Sequence, residues 1–266
     1  MTDADVRVVT FNTAAGNPRI KTPQAAFLQL PFYGEAFDGA PQAPILALQE
    51  VGPAQARALK ERARQGGFAL LQLSRPGLGN ALVVPDRYEV LSTRRGFYAR
   101  SHLLGVADGL RRWARSRQRP DWRQFGELRI WLLARLRDRS SGQELTILNT
   151  HLSVEPSLKV AQARALVRRA RGAGPRVILA GDLNVPAADP RGRDLEVTAL
   201  LAPFRDMGTQ APPGKVNIDY VLTLGFEPVS SRIWSGDSLQ LPGSPSADLV
   251  SDHYAEDDVI RYSSQL

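Results

Sequence analysis

Five short apolar runs, each ending in a polar residue of ligand type, constrain this chain more than any other feature. Val6 to Phe11 ends in Asn12, Ile45 to Gln49 in Glu50, Leu145 to Thr150 in His151, and Val177 to Gly181 in Asp182, with Asn184 following. The fifth break, Ser251-Asp252-His253, stands just before a short run centred on Val259 and Ile260. Runs this short and this rich in Val, Ile and Leu read as strands buried on both faces, where a carboxylate or imidazole is expensive unless it sits at an open end. One such residue is an ordinary strand-end group, because chains leaving a sheet turn polar at the surface. Five together, all able to bind metal or phosphate, make a site.

A chain of 266 residues with 43% hydrophobic content can bury a full core. No Ser/Gly linker, repeat or low-complexity tract divides it, so a single domain over 1–266 is expected, as a monomer. The absence of Cys excludes disulfides and thiolate ligands, leaving oxygen or imidazole to hold any metal. A strand already begins at residue 6, and no stretch approaches the apolar length of a bilayer span or a signal-peptide core; a soluble, cytoplasmic chain is expected. The formal net charge of +7 favours polyanions such as nucleic acid or anionic membrane surfaces. Lys occurs only at Lys21, Lys60, Lys159 and Lys215, so the excess is nearly all Arg in a chain rich in Ala, Gly and Pro, a mixture that codon bias alone can produce. Charge is therefore a weak argument for a partner.

Helical segments fall between the strands. Thr22-Pro23 reads as an N-cap with Pro at the first helical position, with Ala26, Phe27 and Leu30 on one face until Pro31 interrupts. Pro53 opens a second helix to about Gln65, closed by Gly66-Gly67. A third begins near Pro156, turns Ala163, Leu166, Val167 and Ala170 inward, and ends at Gly172. Further strands are expected at Asn80 to Val84, Leu128 to Leu136 and Ile218 to Leu222. Strands that occur both as close neighbours and separated by helices predict two mixed sheets face to face with helices outside, a four-layer α/β sandwich.

The stretch from about 94 to 123 breaks this rhythm as a basic insertion. It carries Arg94, Arg95, Arg100, Arg111, Arg112, Arg115, Arg117, Arg119 and Arg123, interleaved with Phe97, Tyr98, Trp113 and Trp122. Leu103, Val106, Ala107, Leu110, Trp113 and Ala114 recur at helical spacing, which predicts an amphipathic helix with a basic outer face. It is either a solvated helix over a sheet edge or a surface for a phosphate backbone or lipid.

Asn12 and Glu50 offer a carboxamide oxygen and a carboxylate, hard ligands suited to Mg²⁺ or Mn²⁺. If the strand continues through Leu183, Asp182 and Asn184 project to one face, where the pair can orient a water and contact a phosphate oxygen. His253 can exchange protons or donate to a phosphoryl oxygen once a carboxylate fixes its tautomer, and Asp219, interrupting an apolar strand, is the best partner. Asp252 then points the other way, free to face the metal. Of the three histidines, His151 and His253 fall in this constellation, while His102 has no acidic neighbour and reads as a structural or surface residue.

Asn12, Leu48-Gln49-Glu50, Asn149-Thr150-His151-Leu152, Gly181-Asp182-Leu183-Asn184, Ile218-Asp219-Tyr220 and Ser251-Asp252-His253, in this order, resemble the endonuclease/exonuclease/phosphatase superfamily of pancreatic deoxyribonuclease-like enzymes. The resemblance runs from residue 6 to about 260; each motif alone is weak, and the ordered set is specific. It implies an αββα sandwich and metal-dependent cleavage of a phosphoester by in-line attack of water. It further implies that Asn12 and Glu50 hold the metal region, Asp182 and Asn184 handle nucleophile and phosphate, Asp219 orients His253, and His151 contacts the scissile phosphate. Asn80 and Arg129, each at the start of a strand, match positions of phosphate contact.

Three departures narrow the subfamily. Val51-Gly52 follows Glu50 where exonuclease-III-type abasic-site endonucleases have Thr-Lys; Ile218-Asp219-Tyr220 stands where inositol-polyphosphate phosphatases have Cys-Asp-Arg; and Tyr254-Ala255 replaces the common Pro-Val after the last His. The leading expectation is a phosphodiesterase acting on DNA or RNA. The alternatives are a phospholipid or sphingolipid head group with the amphipathic segment on a membrane, or a small phosphoester. A non-catalytic binding scaffold is disfavoured, because every expected catalytic residue type is retained.

Overall fold

Period-two alternation sorts the side chains of each run between an inner and an outer face, and both faces are covered. The computed structural model describes residues 5–14, 26–37, 40, 42–74, 79–99, 103, 106–107, 114, 128–186, 194–206, 218–234 and 253–263. Its strands are β1 (Asp5–Asn12), β2 (Ile45–Val51), β3 (Phe68–Ser74), β4 (Gly79–Pro85), β5 (Tyr88–Phe97), β6 (Ile130–Asp138), β7 (Glu144–His151), β8 (Val177–Asp182), β9 (Arg205–Asp206), β10 (Asp219–Leu224), β11 (Phe226–Trp234) and β12 (Ala255–Tyr262). Helices α1 (Pro31–Phe37), α2 (Pro53–Arg64), α3 (Pro156–Arg171) and α4 (Leu195–Leu201) lie between them.

One six-stranded sheet runs β11-β12-β1-β2-β4-β3 and the other β5-β6-β7-β8-β10-β9. Each is mixed: β1 and β2 are parallel, as are β7 and β8, and their other neighbours are antiparallel. Val6, Val8, Ile45, Ala47, Leu82 and Val84 of the first sheet pack against Leu132, Ala134, Ile147, Ile178 and Val221 of the second. The opposite face of the first sheet packs Val9, Phe11, Leu46 and Leu48 against Phe32, Tyr33 and Leu59 of α1 and α2. That of the second packs Leu148 and Leu179 against Ala163, Leu166 and Val197 of α3 and α4. The four layers expected from sequence are present.

Differences from the sequence reading are local. Thr22 and Pro23 lie outside the described residues; Ala26–Gln29 form a 3-10 turn, and Pro31 opens α1 rather than ending a helix. Proline fits a first helical turn, where its missing N–H has no intrahelical partner to lose. The expected strand at Leu128 to Leu136 is shifted to Ile130–Asp138. The basic stretch falls mostly outside the described residues, as do His102 and Asp252. Leu103, Val106, Ala107 and Ala114 have helical backbone; Leu103 is 67% exposed and both alanines are exposed, while Leu110 and Trp113 lie outside the described residues.

Candidate active site

Topology gathers the strand-end residues at one end of the sandwich. The parallel pairs bring together Asn12 and Glu50 on one sheet and His151 and Asp182 on the other, where His151 and Asp182 are register partners. β10 runs antiparallel to β8, so its first residue, Asp219, pairs with Asp182. β12 runs antiparallel to β1, which places His253, just ahead of β12, near the end that carries Asn12. β4 and β6 likewise start at this end, with Asn80 and Arg129 beside them.

The carboxylate of Asp182 is central and 1% exposed. Its Oδ2 accepts from Asn12 Nδ2 at 3.0 Å and faces His151 Nε2 at 3.4 Å and His253 Nε2 at 4.0 Å. Its Oδ1 accepts the Asn184 N–H at 2.9 Å. The other nitrogen of His253, Nδ1, is 2.9 Å from Asp219 Oδ2, the partner expected from sequence. Glu50 Oε1 lies 3.8 Å from His151 Nδ1. Burial, reinforced by the Asp219 charge, pushes the Asp182 carboxyl up to about 7, against the lowering effects of His253, Asn12 and the Asn184 N–H.

Glu50, Asn80, Arg129 and His151 line one recess with Gly79, Leu128 and Ile130. Two residues sit otherwise than expected. β8 ends at Asp182 and Asn184 has φ 52°, so the strand does not carry both side chains to one face; Asn184 Nδ2 turns back to donate to Leu152 O at 2.9 Å. Asn12 Oδ1 accepts the Ala14 N–H at 2.9 Å, which fixes its amide nitrogen towards Asp182. Asn12 thus orients the central carboxylate. Glu50 also has a positive φ, 53°, at an irregularity of β2 between Leu48 and Val51, where the Thr13 hydroxyl has both Glu50 O and Gln55 Oε1 within reach of its one proton.

Several positioning residues went unread in the sequence. Asn149 Nδ2 crosses from its sheet to Leu48 O at 3.0 Å and Ala81 O at 2.7 Å on the other, and its Oδ1 accepts from Gln49 Nε2 at 2.9 Å. The signal was there: Gln49 follows the inward parity of Ile45 and Ala47, and Asn149 that of Leu145 and Ile147. Lys159, only 4% exposed on α3, donates to Asn184 O and, at 2.8 Å, to Asp194, tying these two residues together. It stands four residues before Ala163 on the inward stripe, where a lysine needs a buried partner.

Two facing mixed sheets with helices outside, joined at one end by an acid and imidazole cluster, define a deoxyribonuclease-I-like sandwich. The chain belongs to the Endonuclease/Exonuclease/phosphatase family, whose pattern matches residues 9–253. Among solved structures it is similar to D. rerio TDP2 humanized by 14 mutations, at 17% identity and TM-score 0.70 over 97% of this chain and 99% of that one. It is similar also to the endonuclease/exonuclease/phosphatase from Bacteroides vulgatus, at 18% identity and TM-score 0.70 over 97% and 99% of the two chains. A third, D. rerio TDP2 complexed with single strand DNA product, has 17% identity and TM-score 0.66 over 97% and 99%. At these identities the likeness is one of fold. None of the curated proteins compared with the chain matches it.

Proposed function

We propose that this protein is a divalent-metal-dependent phosphodiesterase, with nucleic acid as substrate. The observation that carries the reading is the convergence of Asn12, His151 and His253 on the buried carboxylate of Asp182, beside a recess lined by Arg129 and Asn80. A carboxylate that burial holds near neutrality can accept a proton from an attacking water. That water attacks in line, its oxygen bonding to phosphorus as the ester bond on the far side breaks. His253, its Nδ1 engaged by Asp219, presents Nε2 to a phosphoryl oxygen; His151, Arg129 and Asn80 hold the other oxygens.

The donor set fits a hard cation. Glu50 brings a carboxylate to the recess with its side chain 25% exposed, and Mg²⁺ or Mn²⁺ needs few protein ligands because it keeps water. When bound there, the cation supplies charge stabilisation to the phosphoryl group. Asp182, Asp219 and His253 also bring one ligand atom each within 4.8 Å of one another. Because Asp219 is bonded to His253, that trio suits proton handling better, and we assign the cation to Glu50 with Asn12 as its strand-end neighbour; Asp252 belongs to the same proposed region.

A lipid head group is the second reading, favoured by the exposure of Leu103. No helix among the described residues is long and apolar enough to cross a membrane, so such a substrate would be met at a surface. A panel of single- and double-stranded DNA, RNA, choline phospholipid, sphingomyelin and inositol phosphates, each with Mg²⁺, Mn²⁺ and EDTA, separates the readings. Cation-dependent cleavage of DNA or RNA is the expected result; turnover of lipid alone, or of nothing, overturns it.

A further inference from the structure

The recess accounts for a phosphate and leaves open what the phosphate carries. β5 is the outer strand of its sheet, and its last residue, Phe97, has as register partner Ile130, which lines the recess. The next residue, Tyr98, turns inward: its N–H donates to Arg129 O at 3.1 Å and its hydroxyl meets Thr150 Oγ1 at 2.9 Å. The backbone at Phe97 is thus pinned on both sides, while its side chain is 38% exposed, the one large aromatic among the exposed apolar side chains of the described residues. Arg94 and Arg95, both exposed, precede it on the same open edge, and Arg95 Nη1 donates to Gln72 O at 2.7 Å.

Single exposed apolar residues are ordinary on protein surfaces. This one is firmly mounted beside Ile130 of the recess lining, next to cations, on a strand edge that pairs with no further strand among the described residues. We propose that Phe97 is a stacking platform for an unpaired base of a nucleic acid strand, taking the base of the nucleotide beside the phosphate held by Arg129 and Asn80. The inference rests on the phosphodiesterase reading and narrows its substrate to single-stranded or frayed ends, because a base offers its face to a side chain only when it is free of its stack. A lipid surface instead calls for a continuous apolar face, and here two exposed arginines, Arg94 and Arg95, precede the ring on its strand.

The test uses the full chain with His253→Ala to block cleavage, in Mg²⁺. Binding of a single-stranded oligonucleotide is compared with binding of a strand of the same length made of abasic nucleotides, which keeps the phosphates and drops the bases. Phe97→Ala and Phe97→Leu should weaken binding of the base-bearing strand about 5- to 100-fold, the usual worth of one stacked base. Binding of the abasic strand should stay within about twofold, and Phe97→Trp should restore the preference for bases. Equal losses on both strands, or full affinity in Phe97→Leu, overturn stacking, as does a loss confined to anionic phospholipid vesicles. Hydrolysis of bis(p-nitrophenyl) phosphate by the chain with His253 intact separates the two levels. If that activity persists while Phe97→Ala binds DNA normally, only the stacking role falls; if it is absent and no nucleic acid binds, both fall.

Discussion

His253 spends one ring nitrogen on Asp219 and aims the other at Asp182. Removing the imidazole (His253→Ala) or its partner's charge (Asp219→Asn) should lower the rate of phosphodiester cleavage by roughly two to four orders of magnitude, the range contributed by a positioned donor to a phosphoryl oxygen or a proton-transfer group. The double variant should be little worse than either single one, because groups that act as one unit are not additive; independent, multiplying losses would show that they do not. Glu50 poses a different question, since the role proposed for its carboxylate is to hold a cation and not to move a proton. Glu50→Gln keeps the shape and removes the charge, so the Mg²⁺ concentration for half-maximal activity should rise, with partial rescue by excess Mn²⁺. Full turnover of the unmodified chain in EDTA would end the metal assignment. At this scale, the pairing of His253 with Asp219 was legible in the sequence, because Asp219 interrupts an apolar strand, and so were the strand-end places of His151 and Asp182, but not their mutual approach. The orientation of Asn12 and Asn184 was not, since it depends on which backbone groups the loops at Ala14 and Leu152 leave within reach.

Between β7 and β8 the backbones approach so closely that one position admits no side chain. Gly181 has φ 144°, and a Cβ there would lie 1.9 Å from Thr150 O. Gly181→Ala should cost about 3 kcal/mol or more in urea unfolding, as forced backbone strain does, and should disturb the adjacent Asp182 and His151. Asn149→Ala, which deletes the tie to Leu48 and Ala81 without steric conflict, should cost less, about 1–3 kcal/mol for the buried polar groups it deserts. Equal stability of wild type and either variant would refute the corresponding account. The extents of α2 and α3 were readable because proline opens and glycine follows each. α1 was misplaced because Pro31 looks the same in sequence whether it ends one helical turn or begins the next. The two sheets followed from run lengths and spacing, yet their registry did not: it is set by the inward-facing pair Gln49 and Asn149, a hundred residues apart.

Across the whole molecule, several carboxyl groups are buried among apolar layers, and their protons couple stability to pH. Burial pushes Asp258 from 3.8 up to about 7, with Ser231 and Glu256 bonding it and Asp257 and Asp206 adding like charge. Asp182 is shifted in the same direction. A carboxyl raised on folding holds its proton more tightly in the folded chain, so the stability it contributes is full below about pH 4 and is lost as pH rises through about 7. Urea midpoints should therefore fall between pH 5 and pH 8, and Asp258→Asn should remove part of that slope while Asp182 retains the rest; a slope unchanged by Asp258→Asn would show that Asp258 does not carry it. The proposed catalytic end has its own dependence on the assembled whole, because half of these six residues come from each sheet or the segment next to it: Asn12, Glu50 and His253 from one, His151, Asp182 and Asp219 from the other. Such a site behaves as a vernier. A sideways slip of one sheet by a single ångström leaves every strand hydrogen-bonded and every helix folded, yet it separates Asn12 from Asp182. Turnover is then a finer gauge of how the two sheets are aligned than any measure of secondary structure.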